Sequence, residues 1–156
     1  MENQGKTSDW MEVAEVKISY QPKVKACERP KVVSSRAAFE LLKNNWDPNT
    51  LEFVESFKII LLNRANRVLG VSQIGIGGTS SVVVDQKLVF ITALKANACA
   101  MILAHNHPSG DVFPSEQDRR ITKRLVEMGR ILDISVLDHM IISPDNYFSF
   151  ADEGEL

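Results

Sequence analysis

Cys99-Ala100-Met101-Ile102-Leu103-Ala104 is an unbroken run of small and apolar residues that leads straight into His105-Asn106-His107. A strand with one wet face alternates polar and apolar side chains, so an apolar run of this length predicts a strand buried on both faces. Such a strand needs helices above and below it, which selects an α/β architecture with a mixed sheet flanked by helices. Residues two apart on an extended chain point to the same side, so His105 and His107 can offer two imidazoles to one cation at the strand's C-terminal end. Taken alone, the tripeptide equally suits two polar residues at a strand mouth.

The rest of the chain supplies the elements for such a sandwich. Residues 1–12 are polar, without periodicity, and are expected to fray. Residues 13–33 read as an extended lead-in: Val13 to Tyr20 alternates loosely like a half-exposed strand, and Pro22 and Pro30 confine the next stretch to extended geometry. A domain is expected over 34–156. Ser34 or Ser35 can cap a helix with Ala38, Leu41 and Leu42 on one face, ending near Asn44, Asn45 and an Asp47-Pro48 breaker. Phe57–Leu62 and Val68–Ile74, separated by the turn formers Asn63 to Asn66, predict a hairpin. Gly75, Gly77 and Gly78 loosen the backbone before a short Val82–Val84 segment and a helix from about Gln86 to Asn97. After the loop Pro108 to Pro114, Ser115-Glu116-Gln117-Asp118 opens a helix with Ile121, Leu125, Met128 and Leu132 on one face. A last strand runs from Ile134 to Ile142, then a turn at Pro144-Asp145-Asn146.

Seven residues separate His107 from Ser115 and two more separate Ser115 from Asp118. A rigid turn there can fold the first turn of the helix back over the strand end, adding one carboxylate to two imidazoles. Three nitrogen and oxygen donors leave a fourth tetrahedral position for water, the pattern of a catalytic zinc and not of a closed structural one. The competing reading is a capping box, with Ser115 at the N-cap and Asp118 at N3. Both can hold, but Asp118 cannot fully serve both.

Composition narrows the classes. With 156 residues, 44% hydrophobic and 24% charged, the chain is an ordinary single globular domain, which argues against disorder, coiled coil and collagen. The formal charge of −2 gives no global attraction to nucleic acid or anionic membrane. Cys27 and Cys99 form no C-x-x-C pair, so a reducing compartment is the simpler reading. The start lacks an apolar signal core, and nowhere do 18 apolar residues run together, so the expected location is cytoplasmic with no membrane association.

His105-Asn106-His107-Pro108-Ser109-Gly110, Pro114-Ser115 and Asp118 resemble the JAMM (MPN/JAB) metalloprotease motif, His-x-His-x7-Ser-x2-Asp, in the form seen in RadC proteins. Asn97-Ala98, Leu137-Asp138-His139 and Tyr147-x-Ser149-Phe150 extend the resemblance to about residues 30–154. It implies a JAB/MPN domain of cytidine-deaminase-like, three-layer architecture and a hydrolase that cuts a peptide or isopeptide bond with one zinc ion per chain. His105, His107 and Asp118 would bind the ion. Glu55, before Ser56-Phe57-Lys58, takes the position of the family's general base, with Glu52 a weaker candidate, and Ser115 would donate to the oxyanion.

Two features depart from the family. Gln86-Lys87-Leu88 stands where relatives carry Pro-Arg-Glu, and the roughly thirty residues ahead of the first helix are too few for the helix-hairpin-helix module of full-length RadC proteins, which implies a short form. The alternative function is a non-catalytic, DNA-repair-associated module binding DNA or a protein partner. It would use the basic stretch 22–36 (Lys23, Lys25, Arg29, Lys31 and Arg36 against Glu28) and the cluster Arg119, Arg120, Lys123 and Arg124, which otherwise reads as a solvated helix face. A zinc deaminase is disfavoured, because its His-x-Glu and Pro-Cys-x-x-Cys signature is absent. Asp138 and His139 read as a satisfied structural pair, with a role behind the metal as the alternative. The near-neutral charge favours a protein or peptide substrate over DNA.

Overall fold

The computed structural model describes residues 13–156 apart from 15, 16, 18, 22 and 80. Its centre is a five-stranded mixed sheet in the order β2-β1-β3-β4-β5. The strands are β1 Ser56–Leu62, β2 Val68–Ile76, β3 Ala100–Asn106, β4 Ser135–Ile142 and β5 Tyr147–Ser149. The helices are α1 Ser35–Asn44, α2 Pro48–Leu51, α3 Gln86–Lys95 and α4 Glu116–Ile131. β3 lies between β1 and β4 and every one of its residues is buried, as its unbroken apolar run requires. β3 and β4 are parallel, which demands a long crossover, and α4 supplies it.

Strand parity sorts the core into two layers. Phe57, Ile59 and Leu61 of β1 and Met101 and Leu103 of β3 pack with Val89, Phe90 and Ala93 of α3 and Leu125 of α4. On the other face, Ile60, Leu62, Ala100, Ile102 and Ala104 pack with Ala38, Phe39 and Leu42 of α1, Trp46, and Leu51 of α2. The fold is a three-layer α/β sandwich. Lys58, of the same parity as Ile60, is nonetheless buried: its ammonium donates to Asn45 O at 2.9 Å and stands 4.6 Å from the Trp46 ring.

Helix boundaries obey local chemistry. Ser34 Oγ accepts from Ala37 N at 3.1 Å at the start of α1. Asp47-Pro48, read as a breaker, both ends the approach from α1 and starts α2: the Asp47 carboxylate accepts from Asn49 N at 2.9 Å and Pro48 takes the first helical position. Asp85 caps α3 through Lys87 N and Leu88 N, so that helix begins at Gln86 as expected. It ends at Lys95, two residues early, because Asn97 turns left-handed at φ 52° and breaks the helical repeat.

Several expectations are corrected. Val13, Ala14, Lys17, Ser19 and Tyr20 form no strand and are exposed, so their alternation faces no core; Glu15, Val16, Ile18 and Pro22 lie outside the described residues. The short Val82–Val84 segment, for which no regular element is expected, is irregular, with Val82 tucked into the core and Val83 87% exposed. β5, which the residue pattern does not announce, pairs antiparallel with β4 after the Pro144–Asn146 turn. No helix among the described residues is long and apolar enough to cross a membrane.

Candidate metal centre

The antiparallel register of β1 and β3 sets Phe57 opposite His105. Continuing that ladder outward brings Glu55, two residues before Phe57, opposite His107, two residues after His105. All four residues share the parity that faces α4. Glu55 is held by backbone bonds to the turn beyond β2: its N–H donates to Gly78 O at 2.8 Å and its carbonyl accepts from Gly77 N at 2.7 Å. A Cβ on Gly77 would lie 2.0 Å from Ser81 O, so only glycine lets the 78–82 loop fold back this closely.

His107 comes directly after β3 and its Nδ1 lies 2.7 Å from Asp111 O. A carbonyl only accepts, so His107 carries its proton on Nδ1 and leaves Nε2 facing the site. The turn that brings this carbonyl round needs Gly110 at φ +82°. The chain then returns to Ser115, the N-cap of α4, where the capping box is complete. Asp118 N donates to Ser115 Oγ at 3.2 Å, and Ser115 N donates to Asp118 Oδ2 at 2.7 Å. Ser115 Oγ–H also donates to Asp118 Oδ2, at 2.6 Å.

Asp118 divides its oxygens between the two roles read from the sequence. Oδ2 serves the cap and lies 3.6 Å from His107 Nε2, while Oδ1 lies 3.2 Å from His105 Nε2. The two Nε2 atoms are 3.0 Å apart. Donors on a tetrahedral zinc with bonds of about 2.05 Å are separated by about 3.3 Å; the Nε2–Nε2 separation of 3.0 Å and the His105 Nε2–Asp118 Oδ1 separation of 3.2 Å lie close to that value, while the 3.6 Å contact is to the other carboxylate oxygen. Glu55, His105 and His107 also bring ligand-type atoms within 4.8 Å of one another. The donor set therefore fits a divalent cation at the end of β3. Glu52 sits exposed at the C-cap of α2 and takes no part in this cluster.

Electrostatics agree with the geometry. Burial pushes the Asp118 carboxyl up, but hydrogen bonds from His105 and His107 when their rings are protonated, the charge of His105, and the Ser115 hydroxyl outweigh it and hold the group well below the usual carboxylate range. The hydrogen bond to Asp118 raises the His107 pKa against the opposing effect of burial. Burial raises the pKa of Glu55, while the two histidines and the Val82 N–H pull it back. A proton and a metal ion would thus compete for one spot between two imidazoles and a carboxylate.

Neighbouring side chains explain how the cluster is held. Asn106 has opposite parity and faces away from the metal site. Its amide donates to Leu51 O at 2.7 Å and Val54 O at 2.9 Å, and its Oδ1 accepts from Ser56 N at 2.8 Å. It therefore clasps the segment that carries Glu55, a role invisible in the sequence because the contacts span fifty residues. Asp138 and His139 separate instead of pairing. Asp138 accepts from Ser149 Oγ at 2.6 Å and Ala151 N at 3.0 Å, whereas His139 Nε2 lies 2.9 Å from His105 Nδ1.

The cluster opens into a cavity of about 600 Å³. Val82–Val84 line one part of it, and Gln117, Arg120, Ile121 and Arg124 line another along one face of α4. The basic cluster is thereby divided: Arg119 pairs with Glu155 at 2.9 Å, while Arg120 and Arg124 turn toward the cavity. Of the basic stretch 22–36, Arg36 pairs with Glu40 at 2.7 Å and Arg29 Nε donates to Val24 O at 3.2 Å.

A three-layer sandwich that sets a His-x-His strand end against a glutamate and a helix-borne aspartate is a JAB-type domain with a candidate metal site. Residues 32–155 match the family of RadC-like JAB domains, and the chain belongs to that family. It is similar to a UPF0758 protein of Flavobacterium johnsoniae, 42% identical over 125 residues, covering 80% of this chain and 53% of the relative. A UPF0758 protein of Symbiobacterium thermophilum is 43% identical over 129 residues, covering 82% and 53%. One of Thermotoga maritima is 45% identical over 102 residues, covering 65% and 46%. The chain spans about half the length of the curated relatives it matches.

Proposed function

We propose that the chain is a zinc-dependent metallohydrolase that cleaves a peptide or isopeptide bond. The convergence of two imidazole nitrogens and a carboxylate beside a buried glutamate carries this reading. His105, His107 and Asp118 would hold the ion, which when bound supplies Lewis acidity and lowers the pKa of a water at its open position. Glu55 removes a proton from the attacking water and hands it to the leaving amine. Burial suits it to both steps by raising its pKa above the ordinary carboxylate value. Ser115 Oγ, whose proton rests on Asp118, turns outward to donate to the oxyanion. The cavity walls take the substrate chain, with Val82–Val84 and Ile121 meeting apolar groups and Arg120 and Arg124 meeting polar or anionic ones.

A role as a DNA-repair-associated binding module draws less support, because Arg36 and Arg119 are taken up by intramolecular ion pairs and Arg120 and Arg124 by the cavity, which leaves only the exposed Lys23, Lys25, Lys31 and Lys123 of the side chains it would use, beside Arg29. Cys27 and Cys99 are free thiols, in keeping with a reducing cytoplasmic setting.

The test is to load the chain with zinc and assay it against panels of peptide-linked and isopeptide-linked fluorogenic substrates. Glu55→Gln should keep the metal and lose about 10²–10⁴-fold in turnover, the usual worth of general base catalysis. Equal turnover in Glu55→Gln and the parent chain would contradict the assignment.

A further inference from the structure

We infer that Thr122 and His139 are positioning residues that fix which ring nitrogen of His105 is left free for a cation, through a hydrogen-bond chain whose direction is set by a backbone carbonyl of α4. The inference rests on reading His105 as a metal ligand. The chain begins at Asp118 O, which accepts from the Thr122 hydroxyl at 2.6 Å. A carbonyl has no proton to give and a hydroxyl has only one, so Thr122 Oγ1 must act as acceptor toward its second neighbour. That neighbour is His139 Nδ1 at 2.5 Å, which therefore carries the ring proton. His139 Nε2 is then a bare acceptor, and the atom it faces, at 2.9 Å, is His105 Nδ1. His105 must carry its proton there, leaving Nε2 unprotonated toward His107 and Asp118.

The opposite direction would place a proton on His105 Nε2. That proton would lie among His107 Nε2 at 3.0 Å and Asp118 Oδ1 at 3.2 Å, where a cation would otherwise sit. The chain is thus a selector between a metal-accepting and a metal-blocking form of the same neutral ring. His107 has its own selector, the Asp111 carbonyl, of the ordinary backbone kind. Among the described residues His105 has no such carbonyl and relies on a relay through His139.

The surroundings suit a fixed relay. His139 and Thr122 are buried, at 0% and 1% exposure, and the His139 ring stacks on Phe150 at 5.0 Å and meets Phe57 edge-on at 5.6 Å. Water cannot easily replace a link, and the ring has little room to turn. The relay also closes on itself: it starts at the backbone of Asp118 and ends on His105, the partner of the Asp118 carboxylate. The first turn of α4 therefore delivers one ligand through its side chain and prepares another through its main chain.

The test uses metal-free protein with ¹⁵N-labelled imidazoles, titrated upward until the ¹⁵N shifts show the site rings neutral, and reads the tautomer of His105 by NMR. The expected result is a proton on Nδ1. A neutral His105 ring with its proton on Nε2 in the folded chain overturns the inference without any variant. Thr122→Val, nearly isosteric, should lose this preference and weaken zinc binding by about 10–100-fold, as removal of a ligand's outer partner does. Thr122→Ser, which keeps the hydroxyl, should retain both properties. A folded Thr122→Val protein with the parent tautomer and zinc affinity overturns the inference. Failure of the parent chain to bind zinc would overturn the metal reading instead, and the NMR result separates the two.

Discussion

Asp118 carries two duties at the residue scale, capping α4 and facing two imidazoles, and its neighbours reveal which matters more. Asp118→Asn keeps one oxygen for the Ser115 cap while removing the charge. It should lose at least about 1 kcal/mol, the scale of a weakened cap, together with the stability its charge contributes beside the histidines, and lose zinc binding by far more; comparison of urea midpoints with zinc titrations checks this. The same pair sets a pH dependence in metal-free protein. Asp118, held low, contributes stability present above about pH 4 and lost as pH falls through its depressed pKa. His107, held high, contributes stability present below its ordinary value of 6.5 and lost as pH rises through its raised pKa. The melting temperature in chelator should therefore fall from pH 6.5 toward 8.5, while the gain on adding zinc grows as the competing proton leaves. A rise in chelator over that range would contradict the assignment.

His105, His107, Ser115 and Asp118 were legible as a set because their spacing is local and short. Asn106 was not, since a residue between two candidate ligands reads as a spacer until strand parity turns it to the other face. Asn106→Leu would leave Ser56 N–H and the carbonyls of Leu51 and Val54 without their buried partner, at about 2–4 kcal/mol. Hydrolysis should fall further than zinc binding, because the loosened segment carries Glu55 and none of the three proposed ligands. Chemical denaturation, metal titration and turnover on the same preparation check the three parts.

At the scale of elements, the features read correctly are those whose signal lies within one segment. The apolar run marked β3 as a central strand, Ser115 to Asp118 announced the start of α4, and the Asn63–Asn66 turn announced the β1–β2 hairpin. The features missed depend on partners distant in sequence. β5 is three residues long and becomes a strand only by pairing with β4, and the Val13–Tyr20 alternation formed no strand because its described residues face solvent. Lys58 entered a buried position because Asn45 O and the Trp46 ring receive its charged end. The 77–82 loop gives an element-scale prediction. Gly77→Ala forces the backbone away from Ser81 and with it the bonds that hold Glu55, so turnover should drop at least as steeply as stability.

At the scale of the whole molecule, the site lies where three elements from separate parts of the chain meet: the start of β1, the end of β3 and the first turn of α4. No single element supplies all the candidate donors, so metal occupancy should report on the assembled sandwich. Zinc at about a hundred times its dissociation constant should add up to about 2.7 kcal/mol to unfolding, reduced by whatever affinity the closely spaced His105 and His107 keep in the unfolded chain. The family membership fits this architecture, and the layered core of two hydrophobic clusters gives the site its rigid floor.

The most direct measurement is the metal content of the purified, dialysed protein, taken together for the parent chain and His107→Ala. About one zinc per chain is expected in the parent, and its loss is expected in a variant that remains folded. A parent chain that holds no transition metal after zinc exposure, or a His107→Ala protein that holds as much as the parent, would contradict the metal centre and the hydrolysis built on it.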